Sequence, residues 1–259
     1  MSSKRIRDPL YGFIHADEED IRLVDHKLIQ RLRWVSQLPL EQLVYPSAHH
    51  SRFEHSLGVM HLAGFAAENL LRNSEKHFQE AANSHKALNN LDFDSQKKIF
   101  IRSARWAGLL HDIGHAPFSH TLEDACKFSD TAPVIYDHEY FGYFLARKVL
   151  DDLRDLDKTV TDIVLRVLNK EIDLAELYPL EMLIRHIIDG PIDVDKGDYL
   201  PRDSYHCGVN YGVYDHSFLW DNVVITDSFQ MGVLPKAALE AWSLTLARHK
   251  MFNYVYKHH

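Results

Sequence analysis

Cysteine is nearly missing from this chain of 259 residues: Cys126 and Cys207 are the only two, far apart and in unlike settings. That excludes a disulfide framework and a Cys-x-x-Cys knuckle, so any metal here is held by nitrogen and oxygen. Long apolar runs are also missing, and the first residues, MSSKRIRDPL, lack the apolar core of a signal peptide. The expectation is a cytoplasmic protein with no membrane partner. An excess of positive charge is lacking too. The formal net charge of -8 argues against a general coat for nucleic acid, although it leaves room for a local basic pocket that takes phosphates. No internal repeat or low-complexity tract interrupts a composition that is 46% hydrophobic and 25% charged, which is ordinary for a globular chain able to bury a sizeable core.

What the chain does have is histidine, 18 in all. The stretch 102–120, RSARWAGLLHDIGHAPFSH, organises the rest. Ala104, Ala107 and Leu110 recur at helical spacing, Ile101, Trp106 and Leu109 widen the apolar surface, and Gly114 is placed to stop the helix. Into this apolar segment come His111 and Asp112 side by side, then His115 one turn on, then His120 beyond Pro117. Burying such groups is costly unless a metal or partner compensates them, and imidazole with carboxylate suits a divalent metal. The competing reading is a helix end whose His caps carbonyls while Asp stays solvated.

Along the chain, residues 8–15, DPLYGFIH, predict a short irregular or hairpin-like entry. Residues 21–38 predict a helix with Leu28, Leu32 and Val35 inward and Arg31 and Arg33 on other faces, ended near Pro39. Residues 45–62, YPSAHHSRFEHSLGVMHL, pass from loop to helix around Ser51. There His55 stands among Phe53, Leu57 and Val59, as a core histidine satisfied by hydrogen bonds or, given His111 and Asp112, as a third ligand. Residues 73–98 are polar and weakly periodic, an insertion or a solvated helix-loop, and His77 and His85 read as surface residues. Glu123 lies three residues after His120 on one helix face, where a carboxylate orients an imidazole. Asp137, His138 and Glu139 open a helix over 140–150, with His138 readable as a mere neighbour of the cap. A charged helix-loop-helix covers 151–170 and an amphipathic helix 180–188.

Residues 190–203, GPIDVDKGDYLPRD, interleave four acids with Ile192, Val194, Tyr199 and Leu200. Asp195 is therefore a candidate ligand, while Lys196 and Arg202 either face an anion or pair with the acids. Residues 223–226 and 231–234 predict a β-hairpin, and 235–257 a closing helix. The fold class expected is mainly α, one domain with a small β element.

His55, His111-Asp112 and Asp195 match the H…HD…D signature of the HD-domain metal-dependent phosphohydrolases. The words RFEHSLGV, LLHDIGHAPFSH and IDVDKGDYLPRD closely resemble its deoxynucleoside triphosphate (dNTP) triphosphohydrolase branch, in particular the relatives of the vertebrate SAM-and-HD-domain dNTPase. The resemblance runs from about residue 8 to the C-terminus and is weak over 73–98 and 151–180. It implies an HD-domain helical phosphohydrolase fold spanning 1–259 as a single domain, with a core from about 8 and an insertion at about 73–98. It implies that His55, His111, Asp112 and Asp195 bind the metal, and that His115, His120, Glu123 and His138 line the hydrolytic centre. It further implies that Arg52 and Lys196 contact phosphate, that Gln37, Leu38 and Asp203 surround the sugar, and that Tyr199 packs under the deoxyribose, with Tyr256 near the sugar and Arg248 on phosphate. Two departures stand out. Phe252 stands where the vertebrate branch has a histidine, and the sequence stops at His259 where relatives continue into a long C-terminal region that helps build oligomers, so the expectation is either a truncated chain or a minimal member of the family.

The implied reaction is attack of water on the α-phosphate of a dNTP, releasing a deoxynucleoside and triphosphate. His120, oriented by Glu123, is the candidate acid, and His115 and His138 would hold phosphates as cationic imidazoles. The mixed ligand set suits Mn, Fe, Co, Ni or Zn better than Mg, which would accompany the nucleotide phosphates. The partners expected are dNTPs and further copies of the chain, as a dimer or tetramer. The alternatives are a phosphohydrolase of nucleoside monophosphates or signalling nucleotides, and a catalytically silent binder of nucleotide or nucleic acid.

Overall fold

In a computed structural model, which describes residues 3–128 and 136–257, a tight turn at Leu10 and Tyr11 folds the N-terminus into an antiparallel hairpin. Strands β1 (Lys4–Asp8) and β2 (Gly12–Ala16) pair from Lys4 with Ala16 to Asp8 with Gly12, and Gly12 takes the positive φ of 72° that the turn needs. The Asp8 carboxylate caps that turn, accepting from the backbone N–H groups of Leu10 and Tyr11 at 2.8 and 3.0 Å.

The single helix expected over 21–38 is instead three short pieces: α1 (Glu18–Val24), α2 (Lys27–Gln30) and a 3₁₀ turn, Arg31–Trp34. His26 causes the break, its backbone extended and its Nδ1 accepting from Leu28 N–H at 3.3 Å, so that it starts a new helix where periodicity alone runs on. Ser51 then begins α3 (Arg52–Asn73), with Glu54 reaching back to the Ser51 backbone N–H.

The polar stretch 73–98 is more structured than its composition implies. It forms α4 (Glu75–Ser84) and the start of α5 (Phe93–Leu110), and it sends Phe78, Ala81, Ala82 and Leu88 into the core. His77 is partly exposed, but His85 is a correction: it is buried, with Nε2 3.3 Å from the buried Glu181 carboxylate.

Helices α3 and α5 pack along one another as the central layer, so closely that a Cβ at Gly108 would lie 2.9 Å from the Val59 carbonyl oxygen and 3.2 Å from the Ala63 methyl. The remaining helices are α6 (Ser119–Lys127), α7 (His138–Asp152), α8 (Lys158–Leu168), α9 (Pro179–Ile188), α10 (Val194–Cys207), α11 (His216–Asp221) and α12 (Ala238–Met251). Of these, α8 and α9 cover α5 while α10 covers α3, and α12 packs on α10. The hairpin expected late in the chain is present as β3 (Val223–Ile225) and β4 (Met231–Val233). The closing helix ends in a π-turn, Phe252–Tyr256. Among the described residues the fold is thus mainly α with two small hairpins, and no helix is long and apolar enough to cross a membrane.

Candidate active site

Three helix ends meet beside the central layer. His55 sits one turn into α3 and is fully buried, because its neighbours on that face, Leu62 and Val59, belong to the core. His111 follows the last residue of α5, its Nδ1 donating to the Gly108 carbonyl at 2.8 Å. Asp193 caps α10 by accepting from Lys196 N–H at 2.8 Å, which puts Asp195 in a first turn where the helix dipole favours a carboxylate. Gly114 is not the helix stop its position implied. A Cβ there would lie 1.9 Å from the His138 carbonyl, so its role is to let the start of α7 approach the histidine-rich loop.

The outward nitrogens converge. His55 Nε2 lies 3.0 Å from Asp195 Oδ1 and 3.6 Å from Asp112 Oδ2, while His111 Nε2 lies 3.5 Å from both Asp195 Oδ1 and Asp112 Oδ1. Yet neither Nε2 has an aligned hydrogen-bond partner among the described residues, although both atoms are buried. Two orphaned imidazole nitrogens aimed at two carboxylates are an unmet cost, and a divalent cation with nitrogen and oxygen ligands meets it. The nearest ligand atoms of His55, His111 and Asp195 all fall within 4.8 Å of one another, so the residues fit such an ion.

The electrostatics agree. Burial pulls the His55 imidazole down, but the Asp195 and Asp198 carboxylates outweigh it and raise it to about 10. Burial pushes Asp112 up, and Arg52 with the neighbouring imidazoles overrides this to hold it well below the usual carboxylate range; Asp195 is held down likewise by His111 and His55. A cation bound among them would displace the His55 proton.

The carboxylate behind His55 was not read from the sequence. His55 Nδ1 donates to Asp198 Oδ2 at 2.8 Å, and Asp198 is gripped by Arg202 through Nε and Nη2, each at 2.8 Å, and by the Tyr11 hydroxyl at 2.9 Å. Arg202 therefore pairs with acids, one of the two roles expected of it, and does not face a substrate anion. It is completely buried and also bonds Asp8 at 2.9 Å. The i,i+4 spacing of Asp198 and Arg202 was the available signal for this pair. Arg31 is a second omission, holding the Ile113 and His115 carbonyls at 2.6 and 2.8 Å and so fixing the loop after His111.

Beside this centre Glu123 joins two rings. Its Oε2 accepts from His120 Nδ1 at 2.9 Å and its Oε1 from His138 Nδ1 at 2.5 Å and from the His138 backbone at 2.8 Å. Burial raises the Glu123 carboxyl, but these donors prevail and lower it to about 2. His115 stacks on His138 with centroids 4.0 Å apart. Burial brings His115 down to about 4 even though Asp112 pulls the other way, so its ring is neutral at neutral pH, against the cationic role expected for it. Phe118, which caps α6, and Ser119, its first residue, have φ values of 68° and 44°, backbone strain of the kind that collects at functional sites.

A cleft of about 670 Å³ opens onto these groups, and it is lined by Gln37, Leu38, Arg52, Asp112, His115, His120, His138, Asp195, Lys196, Tyr199, Asp203, Arg248 and Tyr256, together with Phe252. Thus every substrate-side candidate lines one cavity, while His55, His111 and Glu123 stand behind its wall. Within it Arg52 pairs with Asp112 and bonds Ser119 Oγ at 3.0 Å, Lys196 pairs with Asp193, and Arg248 bonds the Tyr199 hydroxyl. The Tyr256 hydroxyl donates to Asp203 Oδ2 at 2.6 Å, and the Tyr199 and Tyr256 rings lie 6.3 Å apart.

The HD-domain family model matches residues 52–190. An uncharacterized protein of Methanocaldococcus jannaschii is 36% identical over 98% of the chain and 46% of its own length. A Dictyostelium discoideum protein described as a deoxynucleoside triphosphate triphosphohydrolase SAMHD1 homolog is 29% identical over 99% of the chain and 46% of its own length. Among solved structures, a phosphohydrolase of Bacteroides thetaiotaomicron superposes with a TM-score of 0.76 at 28% identity, covering 99% of this chain and 55% of the other. The chain spans about half the length of these relatives.

Proposed function

The chain belongs to the HD-domain phosphohydrolase family, and from that premise we propose that it is a metal-dependent dNTP triphosphohydrolase, converting dNTP and water to a deoxynucleoside and inorganic triphosphate. The observation that carries this reading is the pair of orphaned nitrogens on His55 and His111, facing Asp112 and Asp195 beneath a cleft lined by Arg52, Lys196, Arg248 and two tyrosines. The relatives named as dNTP triphosphohydrolases support the choice of substrate.

His55, His111, Asp112 and Asp195 hold the cation, which when bound supplies Lewis-acid charge to a phosphate oxygen. Arg52, Lys196 and Arg248 receive the phosphates, and Tyr199 packs against the deoxyribose with Asp203, Tyr256, Gln37 and Leu38 around it. Water attacks the α-phosphorus as the bond to O5′ breaks, the leaving O5′ takes a proton, and the proton that the attacking water loses passes to solvent in the open cleft. His120 gives that proton: its side chain is open to the cleft, and the Glu123 carboxylate accepts its Nδ1–H, leaving Nε2 toward solvent and substrate. His115, neutral, donates a hydrogen bond, and His138 orients beside it. The same reading includes a cytoplasmic chain assembled as a dimer or tetramer. Leu239, Trp242 and Leu246 on α12 are exposed apolar surface that a second copy can cover, and light scattering tests it.

The direct test incubates the protein with each dNTP, and with GTP, in the presence of Mn, Fe, Co, Ni, Zn or Mg, and resolves the products by ion-exchange chromatography. Deoxynucleoside with triphosphate is the expected pair. Deoxynucleotide with phosphate or pyrophosphate would mean a different phosphohydrolase, and no product with any metal would overturn the reading.

A further inference from the structure

His50 lies just ahead of α3, outside the cleft and 2% exposed, and the mechanism above makes no use of it. Its Nε2 sits 2.8 Å from Asp203 Oδ1. Asp203 is itself 1% exposed, and its other oxygen accepts from the Tyr256 hydroxyl. These are the two side-chain donors to that buried carboxylate among the described residues. The His50 backbone is a third tie, since its carbonyl accepts from Gln37 N–H at 3.0 Å. One residue outside the cavity therefore fastens three that line it.

We propose that His50 is a positioning residue for the deoxynucleoside end of the cleft, holding Asp203 and through it Tyr256 in the geometry that receives the sugar. The ring is in turn clamped by His206, stacked at 4.3 Å with 9° between planes. A purely structural role accounts poorly for what it costs. His50 Nδ1 is buried with no hydrogen-bond partner among the described residues, a penalty that an aliphatic side chain of similar size would not carry. Polar groups that violate packing economy in this way cluster where a site must be specified. Without His50, a buried carboxylate keeps one donor, so it turns toward the open cleft or takes a proton, and the Tyr256 hydroxyl follows it.

The kinetic part of this inference rests on the dNTP reading; the geometric part does not. His50→Leu is expected to fold with a lowered melting temperature, because buried Asp203 loses a donor, to keep its metal and most of its kcat, and to raise KM for dGTP by roughly 10- to 100-fold, the scale of loss when a substrate-positioning group moves by about 1 Å. His50→Gln, whose amide nitrogen reaches the place of Nε2, should restore most of the affinity, and His50→Asn, which reaches only the place of Nδ1, should not. If His50→Leu fails to fold, the Gln and Asn pair makes the same comparison. A wild-type KM in His50→Leu, or equal KM values in the Gln and Asn variants, overturns the proposal. Should the wild type hydrolyse no dNTP, the reading above fails by itself, and crystal structures of wild type and His50→Leu (or His50→Asn) decide the inference. Asp203 and Tyr256 displaced by about 1 Å uphold it; both unmoved sink it.

Discussion

Asp198 never touches the cleft, yet it fixes which way His55 points. By accepting from Nδ1 it sets the tautomer that leaves Nε2 bare for a metal; against its burial, Arg202 and His55 hold its carboxyl well below the usual carboxylate range, and Arg202 and Tyr11 keep it in place. Asp198→Asn should therefore retain every ligand and still weaken metal binding by roughly 10- to 100-fold, measured by chelator competition, whereas Asp112→Ala or His111→Ala should lose the metal outright in elemental analysis. Full occupancy in the two alanine variants, with the fold intact, removes them from the ligand set. Glu123 makes a second, pH-dependent claim. Its carboxyl is lowered to about 2 in the folded chain, below the value of about 4.3 usual for an unfolded glutamate. A depressed carboxyl stabilises the fold above the unfolded value and loses that contribution as pH falls toward 2. Wild type should accordingly lose stability more steeply than Glu123→Gln in urea melts between about pH 5 and 2. Parallel slopes would show that the two imidazoles give Glu123 no net advantage.

At the scale of elements, the decisive contact is the close approach of α7 to the loop after α5. A methyl at Gly114 would meet the His138 carbonyl at 1.9 Å and the Gly142 nitrogen at 2.5 Å, both backbone atoms that cannot swing aside. Gly114→Ala should cost about 1 to 3 kcal/mol in thermal melts and, by pushing His138 off Glu123, lower turnover as well. A variant with wild-type stability and rate would mean that α7 can shift freely. The long helices were legible because periodicity fixes which residues share a turn, and Ser51 does begin one; that Arg52, Tyr199 and Arg248 belong to one site was implied by the family resemblance of the motif words and the C-terminal stretch, and one cavity does collect them. What was not legible depends on partners distant in sequence. His85 looks like a surface residue until Glu181, 96 positions away, meets it. Arg202 and Lys196 look alike in the motif, and only the hairpin carrying Asp8 and Tyr11 decides that Arg202 is sealed inside. The break at His26 was missed for a local reason, since a side chain that caps its own successor competes with helix continuation without altering the apolar pattern.

For the whole molecule, the four candidate ligands come from α3, α10 and the segment that follows α5, so a cation held among them ties the central layer to α10. Without it the fold must keep two buried carboxylates ionised against a His55 that has to carry a proton, and any ligand that binds only the folded form adds its binding free energy to stability. At a free metal concentration about 100 times the dissociation constant that gain is about 2.7 kcal/mol. For a chain of this size each kcal/mol moves the midpoint by about 2 to 4 °C, so metal should raise Tm by roughly 5 to 10 °C over chelator-treated protein. Asp195→Ala supplies the control. It removes a carboxylate and leaves His55 with fewer counter-charges, so its own Tm can move in either direction, but it should gain little on adding metal. Equal Tm for wild type with metal and with chelator would show that no cation joins these elements, and an undiminished metal-dependent gain in Asp195→Ala would put the cation elsewhere.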